Sequence, residues 1–204
     1  MEITLSEQFK QKKYLDLKGV IPKDICKIVT KYALLQEATE FDPELGSMAQ
    51  VANAHSKYGD TLMETLLHFL LPHMEKSTGL TLCPTYSYYR VYHPGMTLAH
   101  HVDRPSCEVS TTVCFGTNYT NVDEHYNWGM YLDTGIQCKQ TPGDIIVYRG
   151  CEVDHWRDEF KAGPESYQVQ GFFHYINKDG PFYPEFAYDK RPGLGYKNNV
   201  GINN

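Results

Sequence analysis

The sequence predicts a mainly β protein supported by N-terminal helices, an α+β arrangement whose β part is an antiparallel sandwich or barrel such as a jelly roll. Three observations carry this. Apolar residues recur at helical spacing up to Gly79, and beyond it the period falls to two while the residues turn to Thr, Tyr, Val and Phe. The β-rich runs are short and separated by turn signals such as Thr134-Gly135, Pro142-Gly143-Asp144 and Ala162-Gly163-Pro164, with no helical pattern between them. The length, 204 residues, suits one hydrophobic core.

Taken in order, residues 13–20 read as a strand or extended lead-in. Pro22 then opens a helix, since a first-turn residue needs no N–H partner. Ile25, Ile28, Val29, Tyr32 and Leu35 predict that helix over 22–37, with those residues on the inward face. A second helix starts after Asp60, an N-cap whose carboxylate can accept from free first-turn N–H groups. It carries Leu62, Met63, Leu66, Leu67 and Leu70 and stops at Gly79, with Pro72 expected to kink it. Strands are expected at 86–92, 109–115, 130–132, 145–148 and 169–176. The tail from Asn177 is rich in Pro, Gly, Asn and Tyr and reads as an irregular strap. The expected organisation is one domain over 1–204, with helical support at 1–80, a jelly-roll core at 81–176 and the strap at 177–204.

Charge excludes one class of function. With 19 Lys and Arg against 25 Asp and Glu the net charge is −6, the wrong sign for tracking a phosphate backbone, so nucleic acid is not the expected partner. The longest apolar run, 66–71, is interrupted by His68 and stopped by Pro72, so no membrane span is expected. The acidic start Met1-Glu2-Ile3 does not read as a secretory signal, and a cytoplasmic location is expected. The 6 cysteines are scattered without a Cys-x-x-Cys pair and read as free thiols.

Among the 9 histidines, His101 stands two residues before Asp103, and in an extended segment such residues point to the same side. The tripeptide alone is a weak signal. His155, after the turn and strand of Pro142-Gly143-Asp144 to Tyr148, supplies a third candidate ligand. Two imidazoles and one carboxylate on one face of an octahedral ion leave open positions, the arrangement of non-haem Fe(II) sites. Zinc is the rival, but its His-Glu-x-x-His signature is absent.

Tyr92-His93-Pro94-Gly95, His101-Val102-Asp103, Pro142-Gly143-Asp144, Tyr148, Gly150 and His155, in that order, resemble the Fe(II)/2-oxoglutarate-dependent oxygenases, and most nearly their prolyl-4-hydroxylase-like branch. The resemblance spans Tyr86 to Ile176. It implies a double-stranded β-helix in which His101, Asp103 and His155 hold the metal and Tyr92 helps to hold 2-oxoglutarate. It implies Fe(II), 2-oxoglutarate and O2 as cofactor and co-substrates, with ascorbate as an admissible reductant. The implied reaction is hydroxylation of an unactivated C–H, on a prolyl residue of a peptide or protein, a free amino acid or another small molecule.

One part of the family pattern is missing. At the start of the last barrel strand the family places an Arg or Lys for the distal carboxylate of 2-oxoglutarate, and here that region reads Pro164-Glu165-Ser166-Tyr167. Arg157 is the first replacement, since it shares a strand face with His155; Arg90, two before Tyr92, is the second, and Lys161 the third. The competing reading of Arg157 is a salt bridge to Glu108 or Asp158. The missing cation also supports a second function, a metal-binding jelly-roll module that binds a ligand or partner without turnover. Gln168, Gln170 and His174 share the inward face of the last strand with Phe172, and 118–128 reads as a surface loop.

Overall fold

The computed structural model describes residues 3–40, 50–133 and 135–196. Thr134 of one turn signal and the strap beyond residue 196 lie outside them. A short helix that the sequence did not announce, α1 (Leu5–Lys12), begins at a capping box in which Thr4 and Glu7 satisfy each other's backbone N–H groups. Phe9 is its one buried residue, so it carries no apolar stripe to read. Strand β1 (Tyr14–Leu17) follows.

Helix α2 (Lys23–Glu40) starts directly after Pro22, as expected, but turns a different face inward. Cys26, Val29 and Ala33 are buried, whereas Ile28 is 61% and Leu35 52% exposed. The reason is close approach. A Cβ on Gly116 would lie 2.3 Å from Thr30 Oγ1, so the helix sits close against bare backbone there, and this contact sets which of its faces turns inward.

Strand β2 (His55–Tyr58), also unannounced, precedes α3 (Thr61–Thr78). Asp60 caps α3 by accepting from the Leu62 and Met63 N–H groups, and Gly79 ends it at φ 73°. Pro72 sits inside one continuous helix. The remaining strands are β3 (Leu82–Tyr92), β4 (Leu98–His101), β5 (Val109–Asn118), β6 (Met130–Leu132), β7 (Gln137–Cys138), β8 (Ile145–Tyr148), β9 (His155–Arg157) and β10 (Tyr167–Asn177).

Two antiparallel sheets result. The larger runs β1-β8-β5-β10-β3-β2 and the smaller β4-β9-β6-β7. Both edge strands of the larger sheet therefore come from the first 80 residues: β1 lies in the extended lead-in expected over 13–20, whereas β2 was not expected. Among the described residues no helix is long and apolar enough to cross a membrane.

The two-residue period divides the large sheet into two faces. Tyr89, Val91, Val113, Phe115, Phe173 and Tyr175 pack outward into one core with Phe9, Val29, Met63, Leu67 and Leu70 of the helices. Their neighbours Arg90, Tyr92, Ser110, Thr112, Gln168, Gln170 and His174 are equally buried but polar, on the alternate positions that face the other way. That polar face, opposite the small sheet, is where chemistry can be placed.

The strap is pinned beside it. Arg104 donates two hydrogen bonds to Asp189, at 2.6 and 2.9 Å, and Ser106 and Tyr58 donate to the same carboxylate. Arg191 donates to Glu64 at 2.6 Å. Burial alone would raise the Asp189 carboxyl, but the bonds from Arg104, Ser106 and Tyr58 outweigh it and hold the pKa at about 2. A carboxyl whose pKa falls on folding contributes stability above its ordinary pKa and loses it as pH drops through the folded value. Asp189→Asn is therefore expected to unfold at lower urea than the parent at pH 7, with the gap closing between about pH 4 and pH 2; a gap independent of pH would contradict this.

Candidate active site

The small sheet brings the distant parts of the motif together. Strands β4 and β9 pair antiparallel with His101 directly opposite His155. The His101 segment thus lies on a strand of its own, past the Gly95 turn, and not at the end of the strand that holds Tyr92. The Asp103 N–H donates to the Gly150 carbonyl at 2.8 Å, which fixes the turn after β4 against the turn after β8. Nothing larger than glycine fits at 150. A Cβ there would lie 2.2 Å from the Cys107 carbonyl oxygen and 2.5 Å from Asp103 Oδ2.

His101 Nε2 is 3.8 Å and His155 Nε2 3.7 Å from Asp103 Oδ1, and the three ligand atoms all lie within 4.8 Å of one another. His101 Nδ1 lies 2.8 Å from the Ala99 carbonyl and His155 Nδ1 3.0 Å from the Val153 carbonyl. A carbonyl only accepts, so each Nδ1 carries the proton and each Nε2 offers its lone pair toward Asp103. In this form the Gln50 amide donates to His101 Nε2 and the Tyr148 hydroxyl to His155 Nε2. Burial lowers the pKa of His155, which favours the neutral, ligating ring. Two neutral imidazoles and a carboxylate on one side fit a divalent non-haem iron.

Asp103 is held for this. Its Oδ2 accepts from the Ser110 hydroxyl at 2.6 Å, and Ser110 in turn lies 2.9 Å from His174 Nδ1. With the Ser110 proton committed to the carboxylate, His174 Nδ1–H donates to Ser110. Burial pushes the His174 pKa down to about 4, so its ring is neutral at pH 7. Asp103, Cys107 and His174 form a second close grouping, but there the thiol is already bonded to Tyr86 and burial raises its pKa, keeping it protonated. Ser110→Ala is expected to weaken Fe(II) binding by about 10- to 100-fold without unfolding the protein, checked by metal titration beside a urea melt.

Two guanidiniums are also buried between the sheets. Arg157 is 1% exposed; it donates to the Trp128 carbonyl at 2.7 Å and to Gln140 Oε1 at 3.3 Å, and sits 4.9 Å over the Trp128 ring. It makes no ion pair with Glu108 or Asp158, the structural alternative. Arg90 is 2% exposed; it donates to the Tyr92 hydroxyl at 2.9 Å, to Gln50 at 3.2 Å and to Tyr88 at 3.4 Å. Both lie within 6.0 Å of the Tyr92 ring. Burial pushes the Arg157 pKa below its ordinary value, so an anion beside it would be welcome.

Gln170 of β10 donates to Gln140 Oε1, which also accepts from Arg157. Gln140 thus links the Arg157 guanidinium on the small sheet to Gln170 on the last strand of the large one. Lys161 is not part of this link: it is exposed and lies 3.8 Å from Glu159. His100 points away, stacked on Trp156 and bonded to Asp154. The 118–128 loop differs from a purely surface loop. Tyr119, Tyr126 and Trp128 turn inward around Phe160, and Tyr119 donates to Gln168. Sequence reasoning missed Ser110 and Gln140. The alternation along β5 marks Ser110 as inward, but nothing marks Gln140, which enters from a loop.

No family model matches the sequence, and no curated protein does. Solved structures do. A prolyl-4-hydroxylase from Pseudomonas putida matches at TM-score 0.61 and 16% identity, over 83% of this chain and 96% of its own. A prolyl hydroxylase from Trichoplax adhaerens, solved with a hypoxia inducible factor peptide fragment, matches at TM-score 0.64 and 9% identity, over 86% and 88%. The non-heme alpha ketoglutarate dependent epimerase SnoN of nogalamycin biosynthesis matches at TM-score 0.65 and 13% identity, over 95% and 90%. These proteins have different chemistries on one scaffold. The chain shares its fold, the double-stranded β-helix with supporting helices, with the 2-oxoglutarate- and Fe(II)-dependent oxygenases.

Proposed function

We propose that this protein is an Fe(II)- and 2-oxoglutarate-dependent dioxygenase that hydroxylates an unactivated C–H bond. One observation carries the reading: two histidines and an aspartate converge at one point, and beyond it lie buried cations that have no carboxylate of their own among the described residues. When bound, Fe(II) with 2-oxoglutarate and O2 supplies the oxidation, which turns 2-oxoglutarate, O2 and R–H into succinate, CO2 and R–OH.

The chain does the rest. His101 and His155 present their Nε2 lone pairs and Asp103 its Oδ1, the carboxylate offsetting half the charge of the ion. Arg157 receives the distal carboxylate of 2-oxoglutarate, since a planar fork binds both oxygens at once. The Tyr92 hydroxyl lies beside that path and can donate to the same acid. Trp128, Phe160 and Phe172 form an apolar wall with Tyr92 that excludes water.

The binding-only alternative rested on the lack of a cation for the co-substrate, and the buried, carboxylate-free Arg157 supports the oxygenase reading over it. Prolyl hydroxylases among the similar structures point to a prolyl residue or a free amino acid as the substrate, and the acidic net charge points away from nucleic acid. The test is an anaerobic titration of Fe(II) and 2-oxoglutarate into metal-free protein. A weak visible charge-transfer band saturating at one equivalent, and succinate release on admitting air, are expected. Bound iron without the band would overturn the reading.

A further inference from the structure

Four arginines line or flank the interior, and they divide into two kinds. Arg104 is paired with Asp189 and Arg191 with Glu64, each at 2.6 Å. Arg90 and Arg157 are at least as deeply buried, yet among the described residues no carboxylate lies within 4.0 Å of either. Each also keeps a buried Nε–H without an acceptor. A buried cation without a counter-charge is costly, and arginine cannot relieve the cost by losing its proton. Among the described residues neither guanidinium has a counter-charge, so both positions suit an anion.

The co-substrate supplies only one. Its proximal carboxylate belongs at the metal, so its distal carboxylate can satisfy a single guanidinium. Formal charge agrees: the ion less Asp103 leaves one positive charge, the guanidiniums add two, and a doubly charged acid leaves one positive charge over.

Surroundings decide which arginine is left. The acceptors of Arg157, the Trp128 carbonyl and Gln140, are both buried. Arg90 instead reaches Gln50, an exposed residue whose amide also donates to His101 Nε2 at 3.2 Å. One amide group thus spans from Arg90 to a metal-ligand atom on the side open to solvent. The Tyr88 and Phe172 rings lie 5.2 and 5.9 Å from the guanidinium carbon and offer apolar walls.

We propose that Arg90 binds a carboxylate of the molecule to be oxidised, displacing Gln50, so that the substrate is an acid with its carboxylate close to the C–H that reacts. This rests on the oxygenase reading above.

The test uses acetate on the anaerobic protein loaded with Fe(II) and 2-oxoglutarate, read by paramagnetic broadening of the acetate methyl resonance. Saturable broadening is expected for acetate and not for acetamide. Arg90→Leu should weaken it by at least about 10-fold while the charge-transfer band is retained. Arg90→Lys, which keeps the charge but not the fork, should weaken it by about 5-fold and serves if the leucine variant does not fold. Equal broadening by acetamide, or broadening unchanged in the variants, overturns the inference. So does its absence in the parent while the band is present. Absence of the band itself instead overturns the oxygenase reading.

Discussion

Asp103→Ala is expected to bring 2-oxoglutarate turnover to background and to abolish the iron–2-oxoglutarate absorption, in a protein that still melts cooperatively. The carboxylate is the one anionic member of the triad, and two neutral imidazoles cannot offset the charge of the ion. Folding should survive because the Ser110 hydroxyl has a second acceptor in the Cys107 carbonyl, 3.1 Å away, so losing Asp103 strands no buried donor. Succinate assays and anaerobic spectra check this. Turnover within ten-fold of the parent would remove Asp103 from the metal site.

Arg157→Leu should have the next largest effect, raising the 2-oxoglutarate KM by about 10²- to 10³-fold, the usual cost of deleting one partner of a buried charge pair. Stability should change little. The Trp128 carbonyl loses its donor, at about 1–3 kcal/mol, but Gln140 Oε1 still accepts from Gln170, and a desolvated charge is removed. The measurements are 2-oxoglutarate kinetics beside urea melts. A large fall in stability with unchanged KM would make Arg157 a structural residue and open the co-substrate role to Arg90.

The grouping of His101, Asp103 and His155 was legible through the order of the motif parts that carry the resemblance; alternation alone would not have given it, because β4 ends at His101 and Asp103 lies in the turn beyond. Strand parity does place Arg157 inside with His155. The inward face of α2 was not legible, because apolar residues occupy both sides of that helix and the choice was made by the bare backbone at Gly116 on another strand. Strand β2 lacks a strong pattern: Lys57 bonds Gln36 and Glu40, and His55 bonds Tyr89, all partners on other elements. Alternation also told that Gln168 and Gln170 face inward, but not what they meet there. Partners across a barrel are fixed by sheet order, and no local pattern encodes that order.

Each triad imidazole is steered by a carbonyl just two residues earlier, at Ala99 and at Val153. The orientation of both rings is therefore chain-local, and Asp103 is held by a serine. On the proposed reading, a metal held there would be a replaceable guest instead of a keystone. A chelated sample should keep its tertiary signature and regain full iron occupancy within the time of mixing, so iron lost to oxidation in use would be a recoverable injury rather than the end of the molecule.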